Sequence, residues 1–237
     1  MQMNHKNIVP SPALRVSLKR GIARQAMATA DRTVPDLPRL LQMTAGLRPN
    51  AKALERLARR LQARPGVVRV AVARNARGLS LMVRTVLSMT ARVEGTTLFE
   101  EPGLIYLRAR VTPVGPVPGL RLGAVSFCAH ALERLVERSD LDLQRALLPQ
   151  VDAEAQEIFR RWDRSGPIIE AEDEFYPAAT PGLWAGGHDE MVPSPDWGLG
   201  DSHGNVPVFS ARTFLSQAEM RPSLWLRWKD DPSCRMI

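Results

Sequence analysis

Cysteine is nearly absent from this 237-residue chain, which holds only Cys128 and Cys234. Two thiols so far apart make neither a disulfide framework nor the paired spacing of a zinc site, and a reducing compartment suits them best. Long apolar runs are missing as well: no stretch approaches the roughly 18 residues of a membrane-spanning helix. Met27-Ala28-Thr29-Ala30 faintly resembles a signal-peptidase site. The apolar segment that should precede it is broken by Arg15, Lys19, Arg20 and Arg24. The expectation is a cytoplasmic protein with no membrane partner. Scarcest of all is negative charge early in the chain. Residues 1–92 hold three acidic side chains, Asp31, Asp36 and Glu55, against 18 lysines and arginines.

What is present is ordinary in amount and uneven in placement. Apolar residues make up 44% and charged residues 24%, which excludes a collagen-like, mucin-like or wholly disordered chain. The net charge is +7. Residues 1–92 carry a surplus of +15, residues 93–125 balance, and residues 126–237 carry −8. Such an excess in one part points to an anionic partner, with nucleic acid first. Most of the positive charge is arginine, which can place two parallel hydrogen bonds on a phosphate.

Residues 1–35 show no clean period and read as a flexible basic arm with at most a helical turn. Asp36 caps a short helix from Leu37 to about Thr44, ended by Gly46. Asn50 caps a second helix, residues 51–64, with Leu54, Leu57 and Leu61 on one face and Arg56, Arg59, Arg60 and Arg64 elsewhere. Pro65-Gly66 stops it. Alternating runs then predict strands over residues 68–73, 79–83, 105–111 and 120–127, with a turn at residues 75–78. Tyr106, Arg108 and Arg110 share the other face of the third strand. A helix begins near Ala129. More helix follows Ser139-Asp140 to about Trp162, with an interruption near Pro149. Residues 165–205 read as long acidic loops, Val206–Ser210 as a strand that Phe214 extends, and Leu224–Trp228 as a last strand. No repeat of solenoid length is present. The fold class is α+β: helices packed on a mainly antiparallel sheet, with a basic helical and strand region at the amino terminus. Three parts are expected: the arm 1–35, a basic α+β region 36–125, and an α+β domain 126–237.

Residues 126–139 are the most informative. As a helix they set His130, Glu133, Arg134, Glu137 and Arg138 on one polar stripe and Leu132, Leu135 and Val136 on the buried face. An imidazole moves a proton near neutral pH, and a guanidinium offsets charge on a phosphate. Metal-free RNA cleavage needs those two functions.

The run Ser126-x-x-x-His130-Ala131-Leu132-Glu133-Arg134-Leu135-x-Glu137-Arg138 resembles the opening helix of small bacterial proteins similar to the RelE/barnase-like RNase toxins. The resemblance implies an antiparallel sheet behind that helix and a late strand that supplies a further polar residue. Residues 206–214 fit that strand, with Arg212 and Thr213 as the contributors. On this reading His130 is the general acid/base, Arg134 and Arg138 are the phosphate cations, and no metal or cofactor is required. The partners it implies are RNA or the ribosome surface, held by the basic region, and a protein partner such as an antitoxin. The long acidic insertion and the basic amino-terminal half depart from the compact pattern.

Two readings of other classes stand beside it. In one, the helix pair and following hairpin form a winged-helix-like, non-catalytic module. Arg56, Arg59, Arg60 and Arg64 then grip nucleic-acid backbone rather than read bases. In the other, Asp163, Glu170, Glu172, Asp173 and Glu174 form an acidic patch for a basic protein partner. Gly200-Asp201-Ser202-His203-Gly204 fits the hydrolase nucleophile motif. It lacks the strand before it and the helix after it that the motif demands. With Asn205 the same run resembles the first metallophosphoesterase motif, but too little chain follows. His188, Asp189, Glu190, Asp201 and His203 are of metal-ligating type, but no helix spacing gathers them.

Overall fold

The computed structural model describes residues 12–45, 50–73, 78–93, 96–112, 119–142, 144–199 and 204–231. It is an α+β protein built on one eight-stranded sheet. The first helix, α1 (Pro12–Asp31), occupies most of the span expected to be a flexible arm. Its buried residues are Ala23, Ala26, Met27 and Ala30. They recur at i, i+3, i+4 and i+7, so one helical face is flat enough to lie on the core. Small alanines give a weak apolar signal, which is why the sequence shows no clean period there. Residues 1–11 lie outside the described residues.

Helix α2 (Leu37–Gln42) starts as expected: the Asp36 carboxylate accepts the Arg39 N–H at 3.1 Å. Helix α3 (Ala51–Gln62) is capped by Asn50, whose side chain accepts the Ala53 N–H at 3.2 Å. Leu54, Leu57 and Leu61 are buried beneath it. The anticipated stop at Gly46 and most of the turn at residues 75–78 lie outside the described residues.

Four antiparallel strands follow: β1 (Val67–Val72), β2 (Leu79–Val93), β3 (Thr96–Thr112) and β4 (Gly119–Cys128). Strands β2 and β3 are much longer than the alternating runs suggested. Helix α4 (Ala129–Arg138) leaves β4 directly, with the Cys128 thiol at its cap. Helix α5 spans Leu147–Trp162, so the residues just after Ser139-Asp140 are not helical. Pro149 does not interrupt α5, because it sits in the first turn, where its missing N–H is not needed.

The span 165–205 is the largest departure from expectation. It contains β5 (Ile168–Glu170), β6 (Asp173–Pro177) and β7 (Leu183–Met191), a three-stranded meander. Strand β8 (Val206–Leu215) pairs antiparallel with β7 and parallel with β4. Helix α6 (Pro222–Asp230) replaces the expected last strand. Leu224, Trp225 and Trp228 pack at i, i+1 and i+4 while Leu226 stays exposed, a helical arrangement and not an alternating one.

The strand order is β1-β2-β3-β4-β8-β7-β6-β5, which reads as two meanders meeting at the parallel β4–β8 seam. Both charge regions therefore share one sheet. On one face α1, α4 and α5 cover Tyr106, Val125, Phe127, Tyr176, Trp184, Phe209 and Phe214. On the other, α2 and α3 cover Leu81, Leu107, Ala109 and Val111, while α6 covers Phe175 and Leu183. The helices α2 and α3 just before the first meander and the helix after the second thus lie on one face. The helix after the first and the helix before the second lie on the other. None of the helices in the described residues is long and apolar enough to cross a membrane.

Candidate functional site

The polar stripe of α4 forms as anticipated. His130 is exposed, and the Arg134 Nε donates to its Nε2 at 3.3 Å. Arg134 also pairs with Glu137 at 2.6 Å. Glu137 reaches across to Lys19 of α1 at 3.1 Å, and Glu133 lies 3.8 Å from Arg20. Hydrogen bonds from Lys19 and then Arg134 hold the Glu137 carboxyl below its usual range. Much of the stripe is therefore the seam along which α1 docks on α4.

Arg138 turns away from His130. It donates to the Phe214 carbonyl at 2.7 Å and the Thr213 hydroxyl at 3.5 Å, and pairs with Glu219 at 2.8 Å. It ties α4 to the end of β8. The late strand forms, but Arg212 goes elsewhere. The register of β7 and β8 slips between Ala185 and Gly186, leaving Arg212 as the extra residue of a bulge. Arg212 and Thr213 line a cavity of about 370 Å³ with Glu170, Asp173, Glu219 and Arg221. The structure thus brings His130 together with Arg134, and Arg138 together with Thr213, as two separate pairs. Arg212 joins neither through its side chain.

On the opposite face, Arg56, Arg59, Arg60 and Arg64 are all exposed. Burial of Leu54, Leu57 and Leu61 forces them outward. Arg39 of α2 and Arg64 border the same shallow pocket, so the basic strip continues onto the neighbouring helix. None of these five arginines has an ion-pair partner among the described residues. The hairpin of β1 and β2 that follows α3 is the edge of the large sheet.

A second basic cluster went unnoticed in the sequence. Strand register sets Arg110 directly opposite Arg121, with Arg108 opposite Gly123. The carboxyl end of α5 covers this corner. Arg108 donates to both Asp163 oxygens at 2.9 Å and to the Phe159 carbonyl at 3.1 Å, with its guanidinium 4.3 Å from the Phe159 ring. Arg110 also pairs with Asp163. Burial pulls the Arg108 guanidinium below its ordinary value, and Asp163 opposes that shift. Arg108, Arg110, Arg121, Leu122, Trp162 and Pro207 line an open cleft of about 620 Å³. The signal was the run of arginines on one strand face, but a polar strand face reads as solvent-facing until a helix is seen to cover it.

Beside the cleft, the Trp162 ring meets His188 edge-on at 4.7 Å. The His188 Nδ1 bonds Glu174, whose Oε2 also accepts the His188 N–H at 2.9 Å, and its Nε2 lies 3.4 Å from the Tyr176 hydroxyl. Burial, then Glu174 and Asp163, push the Tyr176 hydroxyl well above its usual value. His188 is thus held by Glu174 and Tyr176, and Glu190 holds Asn205 at 3.0 Å. Asp201 and His203 lie outside the described residues, as do Gly200 and Ser202 of the hydrolase-like run. Among the described residues no three His, Cys, Asp or Glu side chains gather as a metal site. The acidic patch is divided: Asp163 faces Arg108 and Arg110, Glu170 takes Ser223, and Glu174 takes His188. Comparison with protein-family models, curated proteins and solved structures finds no match.

Proposed function

We propose that the chain is a nucleic-acid-binding protein that grips the phosphate backbone with the exposed face of α3. The observation that carries this is the strip of Arg56, Arg59 and Arg60 on α3, continued by the exposed Arg64 just past its end, above the buried Leu54, Leu57 and Leu61. Packing holds the helix, so its arginines are presented on a firm support. Arginine forks suit phosphate oxygens, and a helix without an Asn or Gln on its basic face holds backbone in preference to bases. RNA is the favoured partner. Affinity should fall steeply with salt, and each removed arginine should lower the slope of log affinity against log salt by about 1. Fluorescence anisotropy with labelled single- and double-stranded RNA, for wild type and Arg59→Ala/Arg60→Ala, tests this. Binding that ignores salt, or an unchanged double variant, would refute it.

A second reading adds cleavage of the bound RNA by His130 with Arg134, in the manner of the RelE/barnase-like toxins. The contact that favours it is the 3.3 Å approach of the two side chains on an accessible helix face. His130→Ala should then slow cleavage by roughly 10²–10⁴-fold while binding stays intact. If wild type cuts no RNA, the binding reading stands alone.

A further inference from the structure

We infer that the cleft under the carboxyl end of α5 is a binding site for a small phosphomonoester, with Arg110 and Arg121 holding the phosphate. The argument begins with charge. Like charges placed directly opposite across two strands are destabilising, yet Arg110 and Arg121 face one another on β3 and β4. Arg108 adds a third guanidinium in the same cleft. Asp163 is the one carboxylate among the described residues that pairs with any of the three, reaching Arg108 and Arg110. It takes both oxygens to Arg108, and Arg110 shares one of them. The Arg121 side chain has no hydrogen bond or ion pair among the described residues and is exposed. Two positive charges therefore remain uncompensated, which matches the dianion of a phosphomonoester above its second ionisation near pH 6.

Shape agrees with charge. The cleft, at about 620 Å³, is of the size that holds small organic ligands. Its lining is mixed: the guanidiniums supply charge, and Trp162 and Pro207 supply apolar surface on which the organic part would rest. Its floor is open because residue 123 is glycine. A Cβ built there meets nothing within 4 Å, although Gly123 is the register partner of the cleft-lining Arg108. A larger side chain at that position would enter the cleft and not the core. The site is on the opposite face of the sheet from α3, so it is independent of the backbone-gripping strip.

Calorimetric titration of the full chain with phenyl phosphate, and separately with inorganic phosphate, tests the assignment. Wild type should bind phenyl phosphate saturably and more tightly than inorganic phosphate, and should weaken below about pH 6 as the ligand loses its second charge. Arg121→Ala and Arg110→Ala should each weaken binding by roughly 10-fold or more, the usual worth of a charge-assisted hydrogen bond. Gly123→Leu should block the cleft while leaving the melting temperature close to wild type. Arg59→Ala should bind as wild type does. Absence of saturable binding by wild type, or full binding by Arg121→Ala and Gly123→Leu, would overturn the proposal. Weakening by Arg59→Ala equal to that by Arg121→Ala would do the same, since it would mark diffuse attraction to a basic protein.

Discussion

Glu154 is fully buried, yet it accepts hydrogen bonds from the Ala179 and Thr180 N–H groups at 2.8 and 3.0 Å and from the Trp184 indole at 3.0 Å. Gln150 donates to it as well, at 2.9 Å. A buried acceptor with this many donors fixes the loop between β6 and β7 and orients the largest fully buried side chain of the core. Removing it strands several donors at once, so Glu154→Ala should cost about 3 kcal/mol or more, read by urea unfolding. Glu154→Gln should fall between the two, because an amide oxygen can serve only some of these donors. Leu135, with no exposed surface, is the apolar counterpart: Leu135→Ala should cost roughly 2–5 kcal/mol through the cavity it leaves. Leu135 was legible in the sequence from helical spacing alone. Glu154 was not, because nothing in a single acidic residue on a helix announces donors arriving from a segment 25 residues away.

The docking of α1 is where an element read as flexible becomes part of the core. Its alanines fill space beside α4 and α5, and Lys19–Glu137 clips the two helices together. Removal of residues 12–31 should therefore lower the melting temperature strongly, as a thermal melt would show. The clip also carries a pH signature. Glu137 has a depressed carboxyl in the folded chain, so its contribution is present above the ordinary carboxylate range and is lost as pH falls through the folded value. Wild type and Glu137→Gln should differ by less than about 1 kcal/mol at pH 7, since the pair is largely exposed, and should converge in acid. Thermal melts across pH 7 to 3 would show this convergence. Elements with strong periods or caps, such as α3 and β1, were legible. Strands β5 to β7 were hidden by their brevity and by the glycines and acids around them, and α6 by two tryptophans that make a helix alternate like a strand.

At the scale of the whole molecule, the sequence suggested a boundary near residue 126, where the charge changes sign. That point falls inside β4, two residues before its end at Cys128, on the strand that pairs with β8. Hydrogen bonds across this seam come from residues about 84 positions apart, a distance no local pattern conveys. The general class was legible because alternation and helical spacing both occur; the continuity of the sheet was not. A consequence concerns severed chains. Cutting within residues 139–146 would leave two fragments, each a meander flanked by its own helices. Each would bare one central strand: Val125 and Phe127 on β4, Phe209 and Ala211 on β8. An uncovered apolar strand edge recruits other strands. Either fragment made alone should precipitate, whereas the two made together should find one another along that edge and appear as a single soluble 1:1 species in size-exclusion chromatography. Substituting proline for Val125 would interrupt the central strand β4 and should abolish the reunion.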